Sequence, residues 1–218
     1  MSKRIGVVLS GCGVFDGSEI HEAVLTLLFL ARAGATAVCM APDREFAVVD
    51  HRTQEAAGEN RNVLTESARI ARGEIRNLAE VKAEELDGLI LPGGFGAAKN
   101  LSDFAEKGPE ASVLPELSRL LKEIVAAGKP LGAICIAPAP VAKALAELKP
   151  EVTIGTDEGT AAAIEGTGAR HMNCPVDAIH EDARHKLITT PAYMLGPGIA
   201  DVALGIEKLV SRLLEQAA

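Results

Sequence analysis

The apolar run Leu131-Gly132-Ala133-Ile134 breaks off at Cys135, and Ile136-Ala137-Pro138-Ala139-Pro140-Val141 behind it predicts a helix. A short continuous apolar run without alternation is the pattern of a parallel strand covered on both faces. Strand, sharp corner and helix in that order constrain the chain to an α/β architecture. They also raise the corner residue at the carboxyl end of a sheet, over a helix N-terminus. The first-turn N–H groups of such a helix favour an anion, so the thiol of Cys135 is expected to be acidified and reactive. The plainer reading is a free cysteine that merely packs, as buried cysteines commonly do.

The remaining runs agree with the same architecture. Arg4 to Leu9, Ala35 to Met40 and Asp87 to Leu91 are further buried strands, and Val152 to Ile154 is a short one. Val176 to Ile179 and Leu187 to Thr190 read as a β pair joined by a polar turn through Asp182. Phe46 to His51 reads as an edge strand or hairpin, and Glu59 to Arg72 as one or two helical turns. Ser18 is the expected N-cap of a helix running to Ala33, where Gly34 supplies the C-cap. Leu114 to Ala127 is amphipathic at helical spacing. A helix after Cys135 is expected to reach Leu148, a small one covers Glu158 to Ile164, and a last one covers Ile199 to Glu215. Asn100 to Gly108 is polar enough for a surface loop. No repeat or linker divides residues 1–218, so the expectation is one doubly wound domain with a mostly parallel sheet and helices on both faces.

Open sheets of this kind bind ligands at the carboxyl ends of their strands, and three ends carry chemistry. Pro92-Gly93-Gly94-Phe95-Gly96 exposes backbone N–H groups; those of Gly93 and Gly94, with that of Ile136, suit the oxyanion formed when a thiolate attacks a carbonyl. Its plain reading is a tight turn. Gly11 and Cys12, in the glycine loop after the first strand, are candidates for touching the ligand, beside the reading of Cys12 as a small loop residue. Glu19 opens the first helix as either a cap or, if desolvated against Cys135, a proton shuttle; Glu22, one turn on, is the competing choice. His21 and Glu22 flank the site, His51 lies on the surface, and Cys39 is inert core.

Several function classes fall away. Lys and Arg number 22 against 30 Asp and Glu, a net charge of −8, and no basic run exists, which argues against nucleic acid. No stretch approaches the roughly 20 apolar residues of a membrane span. The four cysteines form no C-x-x-C pair, zinc spacing or disulfide framework, so no metal and no cofactor is implied. The apolar run from Ile5 to Leu9 is too short and too early for a signal peptide, which makes the cytoplasm the default location.

Leu91-Pro92-Gly93-Gly94-Phe95-Gly96 and Gly132-Ala133-Ile134-Cys135-Ile136-Ala137-Pro138 together resemble the class I glutamine-amidotransferase-like superfamily. Gly17-Ser18-Glu19 is similar to the small-residue-then-Glu motif of its PfpI-like and parkinsonism-associated deglycase branch. Gly11 to Glu22 and His171-Met172-Asn173-Cys174-Pro175 resemble, more narrowly, the ElbB-like isoprenoid-biosynthesis, or enhancing-lycopene-biosynthesis, proteins. The resemblance spans nearly the whole chain. It implies a flavodoxin-like fold, a nucleophile-elbow cysteine and a homodimer.

Two departures narrow the activity. His171, His180 and His185 do not match the His-x-Glu of an amidotransferase, and Ile136 stands where PfpI-like peptidases place a histidine. Glutamine hydrolysis and peptidase activity are therefore not expected. What the resemblance then implies is a cofactor-independent glyoxalase, turning glyoxal or methylglyoxal into glycolate or lactate. Cys135 forms a hemithioacetal and Glu19 shuttles the proton. The alternatives are a redox-sensing or regulatory protein with an oxidisable Cys135, and an accessory protein of isoprenoid metabolism.

Overall fold

Among residues 2–217, which the computed structural model describes, the continuous apolar runs become strands of one seven-stranded sheet. β1 (Arg4–Val8) passes through a glycine loop into α1 (Ile20–Arg32), and β2 (Thr36–Ala41) returns beside β1. A hairpin of β3 (Glu45–Val49) and β4 (Ala56–Asn62) precedes α2 (Val63–Ile70) and the short β5 (Arg76–Asn77). β6 (Gly88–Leu91) is followed by α3 (Phe95–Lys99), α4 (Phe104–Lys107) and α5 (Pro115–Ala126). β7 (Leu131–Ile134) and α6 (Pro138–Ala144) bracket Cys135. β8 (Glu151–Val152), α7 (Glu158–Glu165) and β9 (Arg170–His171) come next, β8 pairing with β9 outside the main sheet. The chain closes with β10 (His180–Asp182), β11 (Leu187–Thr190) and α8 (Ile199–Gln216).

The strand order is β10-β11-β7-β6-β1-β2-β5, parallel throughout except for the antiparallel β10–β11 pair. From β1 the chain builds outward through β2 and β5, then crosses to build the other way through β6, β7 and β11. That reversal opens a crevice at the carboxyl ends of β1 and β6, the place where doubly wound sheets hold ligands. Side chains alternate between two cores. Ile5, Val7, Ile90 and Ile134 pack with Phe29 and Leu30 of α1 and with Val202, Ile206 and Leu209 of α8. Val8, Leu89, Leu91 and Leu131 pack with Leu117, Leu120 and Leu121 of α5 and Val141 of α6. Each fully buried Leu or Ile contributes about 1.5–3 kcal/mol, and both faces are covered, which is why these strands lack polar alternation.

Several expected boundaries move, each for a local reason. Glu19, not Ser18, caps α1: Glu19 Oε2 accepts from Glu22 N at 2.7 Å, while Ser18 Oγ turns inward to accept from Ser10 N at 2.8 Å. Asn100 to Gly108 is no simple surface loop. Asn100 is buried, its Nδ2 donating to Ser10 O and Asp16 O at 2.8 and 2.7 Å, and α4 tucks Phe104 inside. Residues 59–62 belong to the hairpin rather than to a helix. The helix after Cys135 stops at Ala144, with a 3-10 turn over Ala146–Leu148. Pro175 to Ala178 closes as a turn, so the strand expected there begins at His180, and Asp182 ends that strand instead of sitting in the turn.

Candidate active site

Cys135 adopts φ of +62°, in the left-handed region that residues with a Cβ seldom occupy. Its N–H donates to Thr190 O at 2.9 Å, pinning the corner to the end of β11. The turn lifts the side chain into the crevice beside the ends of β1 and β6. There the N–H groups of Gly94 and Ile136 face Sγ. These donors favour charge on sulfur, but burial and the neighbouring Glu22 carboxylate outweigh them. The thiol pKa is pushed well above its ordinary value. The expected acidification is thus corrected: Cys135 is only 7% exposed, and desolvation exceeds what one short helix supplies.

The carboxylate that meets the thiol is Glu22. It is fully buried, and its two oxygens accept from Gly93 N at 2.9 Å and Tyr193 N at 3.2 Å. Its Oε2 and the Cys135 Sγ border one point, 2.7 and 2.9 Å from where a Cβ on Gly93 would stand. Burial first, and the Glu19 carboxylate second, push its pKa up to about 8. Glu19 stands one step back. Its side chain is spent on capping α1, and its N–H donates to Gly93 O at 2.9 Å. An N-cap side chain folds back onto the first-turn N–H groups, whereas a residue one turn on points into the core face. Geometry therefore gives the thiol contact to the competing choice, Glu22, and leaves Glu19 to position it.

The backbone donors also divide. Gly93 N–H is occupied by Glu22, so Gly94 and Ile136 are the pair that faces sulfur. A Cβ on Gly93 would lie 2.4 Å from Cys135 Cβ, and one on Gly94, at φ of +96°, would lie 2.3 Å from both Glu19 N and Gly17 O. A side chain at Gly93 would push into the thiol and the Glu22 carboxyl, and one at Gly94 into the backbone of residues 17–19. Gly11 and Cys12 make other contacts. Gly11 N–H donates to Ser67 Oγ at 2.9 Å. Cys12 lines a separate cavity of about 290 Å3 with Asp16, His51 and Glu66, and burial, reinforced by Glu66 and Asp16, raises its thiol pKa.

Tyr193 is the site residue that sequence reasoning missed. Its N–H holds Glu22, and its hydroxyl pairs with His21 Nδ1 at 2.7 Å. It follows β11 by way of Pro191 and Ala192, the latter buried at φ of +45°. The signal was present: the chain's one tyrosine stands just beyond a fourth strand end. His21 thus reaches the site through Tyr193. Among the described residues, no group of three or more His, Cys, Asp or Glu side chains is arranged to hold a metal ion.

A profile of the DJ-1/PfpI family matches residues 12–155, a span that contains Glu22, Gly93, Gly94 and Cys135. The chain belongs to the DJ-1/PfpI family. That family includes glyoxalase and deglycase members. The chain is 48% identical, over 223 residues, to the human protein named glutamine amidotransferase-like class 1 domain-containing protein 3, mitochondrial, covering 97% of this chain and 82% of that one. It is 46% identical to the rat protein named ES1 protein homolog, mitochondrial, covering 97% and 83%. A crystal structure of an isoprenoid biosynthesis protein with an amidotransferase-like domain from Ehrlichia chaffeensis superposes with a TM-score of 0.91 at 39% identity, covering 97% of this chain and 99% of that one. The cytoplasmic expectation is corrected by these relatives, which are named as mitochondrial. Its basis was weak in physical terms, because free thiols suit every reducing compartment alike.

Proposed function

We propose that the Cys135–Glu22 site converts glyoxal or methylglyoxal and water into glycolate or lactate without a cofactor. The observation that carries this reading is a buried carboxyl, its pKa raised to about 8, beside a thiol that two backbone N–H groups also face. The thiol adds across the aldehyde: an S–C bond forms, the C=O π bond opens, and the proton ends on oxygen. The Gly94 and Ile136 N–H groups stabilise charge as it develops. Glu22 as carboxylate then takes the C–H proton of the hemithioacetal carbon and returns it to the neighbouring carbon through an enediol, leaving a thioester. Water cleaves the thioester, releasing the acid and the thiol. The proton shuttle expected of Glu19 passes to Glu22 because the Glu22 carboxyl is the one beside the sulfur, while that of Glu19 caps α1. A homodimer accompanies this reading: Ile20, Val24 and Leu28 form an exposed apolar stripe on α1, the helix that carries Glu22.

The redox-sensing alternative uses the same thiol, and turnover separates the two. Acid formation from methylglyoxal tests the proposal. Cys135→Ala is expected to fall to the buffer rate, and Glu22→Gln to lose about 10²-fold or more, the usual worth of a positioned proton-transfer group. A wild-type protein no faster than buffer overturns it.

A further inference from the structure

A groove of about 350 Å3 runs beside the nucleophile, walled by Phe95, Phe104 and Ile136, with Gly159, Thr160 and Ala163 of α7 opposite. Two of its walls are covalent neighbours of the groups that hold sulfur. Phe95 follows Gly94, and Ile136 is itself a sulfur-facing donor. The groove therefore borders the turns that follow Gly94 and Cys135. Aromatic side chains are scarce here, 5 Phe and 1 Tyr, yet they gather at this end of the sheet. Phe95 and Phe104 line the groove, Phe15 stands 6.4 Å from Phe95 between ring centroids, and Tyr193 holds Glu22. Phe95 is 47% exposed, an apolar ring left open to solvent at the mouth of a reactive site. Gly159 and Ala163, four residues apart on one face of α7, leave the opposite wall free of bulk.

We propose that this groove receives the substituent on the ketone carbon, so that the preferred 2-oxoaldehyde carries an aryl group rather than a methyl. The inference rests on the glyoxalase reading of Cys135. A methyl group leaves most of the groove wet, whereas an aryl ring replaces that water and meets Phe95 and Phe104 at stacking or edge-to-face distance. The space suffices, since a cavity of about 150 Å3 already admits benzene. Thr160 is the polar side chain along an otherwise apolar lining, which offers little to a charged or sugar-like substituent.

The test compares kcat/KM for phenylglyoxal and methylglyoxal. The wild type is expected to favour phenylglyoxal by about tenfold or more, the scale of a well-filled hydrophobic pocket. Ala163→Phe, which fills the groove, is expected to lower that ratio at least tenfold, while Ala162→Phe on the exposed face of α7 keeps it. A wild-type ratio at or below one, or a ratio untouched by Ala163→Phe, overturns the groove assignment while leaving glyoxalase chemistry standing. If neither aldehyde is turned over, the glyoxalase reading fails, and acetophenone, an unreactive aryl ketone, judges the groove alone. Its binding, followed through the Ile136 methyl resonances and lost in Ala163→Phe, upholds an aryl site; no response in the wild type rejects it.

Discussion

Cys39 in β2 and Cys135 beyond β7 are equally hidden, each 7% exposed, yet they are different chemical objects. Burial alone drives the Cys39 thiol up to about 11. Around Cys135 burial also raises the pKa, but Gly94 and Ile136 aim N–H groups at the sulfur and Glu22 stands ready to exchange its proton. Exposure therefore says little about reactivity. A place for the charge and a place for the proton distinguish the two, and both depend on a backbone corner at φ of +62° that Cys39, inside a regular strand, does not have.

The largest effect that sharpens this contrast is on pH. Glu22 releases its proton near pH 8 in the folded chain, against an ordinary value of 4.5. The folded state thus holds a proton that the unfolded state gives up. Its stabilising contribution is full below about pH 4.5, declines across the interval and is gone above about pH 8. A shift of this size is worth a few kcal/mol. Urea unfolding at pH 5 and pH 8 is expected to show the wild type losing stability as pH rises, with a flatter slope for Glu22→Gln. Turnover is expected to run the opposite way, rising with pH to a midpoint near 8, because the base is the carboxylate. Equal pH slopes in the two proteins would remove Glu22 from the pair.

A smaller effect separates Glu22 from Glu19. The Glu19 carboxylate is the second contributor to the raised pKa of Glu22, after burial. Glu19→Gln keeps an oxygen that can cap α1 and removes the charge. It is expected to retain turnover and to move the acid limb of the pH profile to lower pH. Loss of turnover at every pH would instead return the proton-transfer role to Glu19.

How legible this was follows how local the cause was. The Cys135 corner could be read because strand, turn and helix adjoin in the chain, and the buried strands could be read from their unbroken apolar runs. The choice between Glu19 and Glu22 could not. It hangs on Ser18 being drawn to Ser10 and on Gly93 N–H arriving from another strand end. Tyr193 was hidden for the same reason, since its backbone meets Glu22 across 171 positions of sequence. β4, whose residues are nearly all exposed, carries no apolar signal at all, and β5, β8 and β9 have two residues each, too few for any period to show.

The smallest effect concerns Cys39 itself. Its sulfur packs in the core with Val7 and Ala41 as strand neighbours in the same cluster, and burial is the cause of its shifted pKa. Cys39→Ala removes one buried group and leaves a small void, costing on the order of 1 kcal/mol, with turnover unchanged. Cys135→Ala is expected to differ in turnover, which vanishes, while the loss of a neutral buried thiol costs about as much packing. Paired measurements of the urea midpoint and of acid production in both variants decide the matter. If Cys39→Ala lost turnover while its urea midpoint stayed within the range expected for that void, burial and reactivity would not be separable in this sheet, and the distinction drawn between the two thiols would fail.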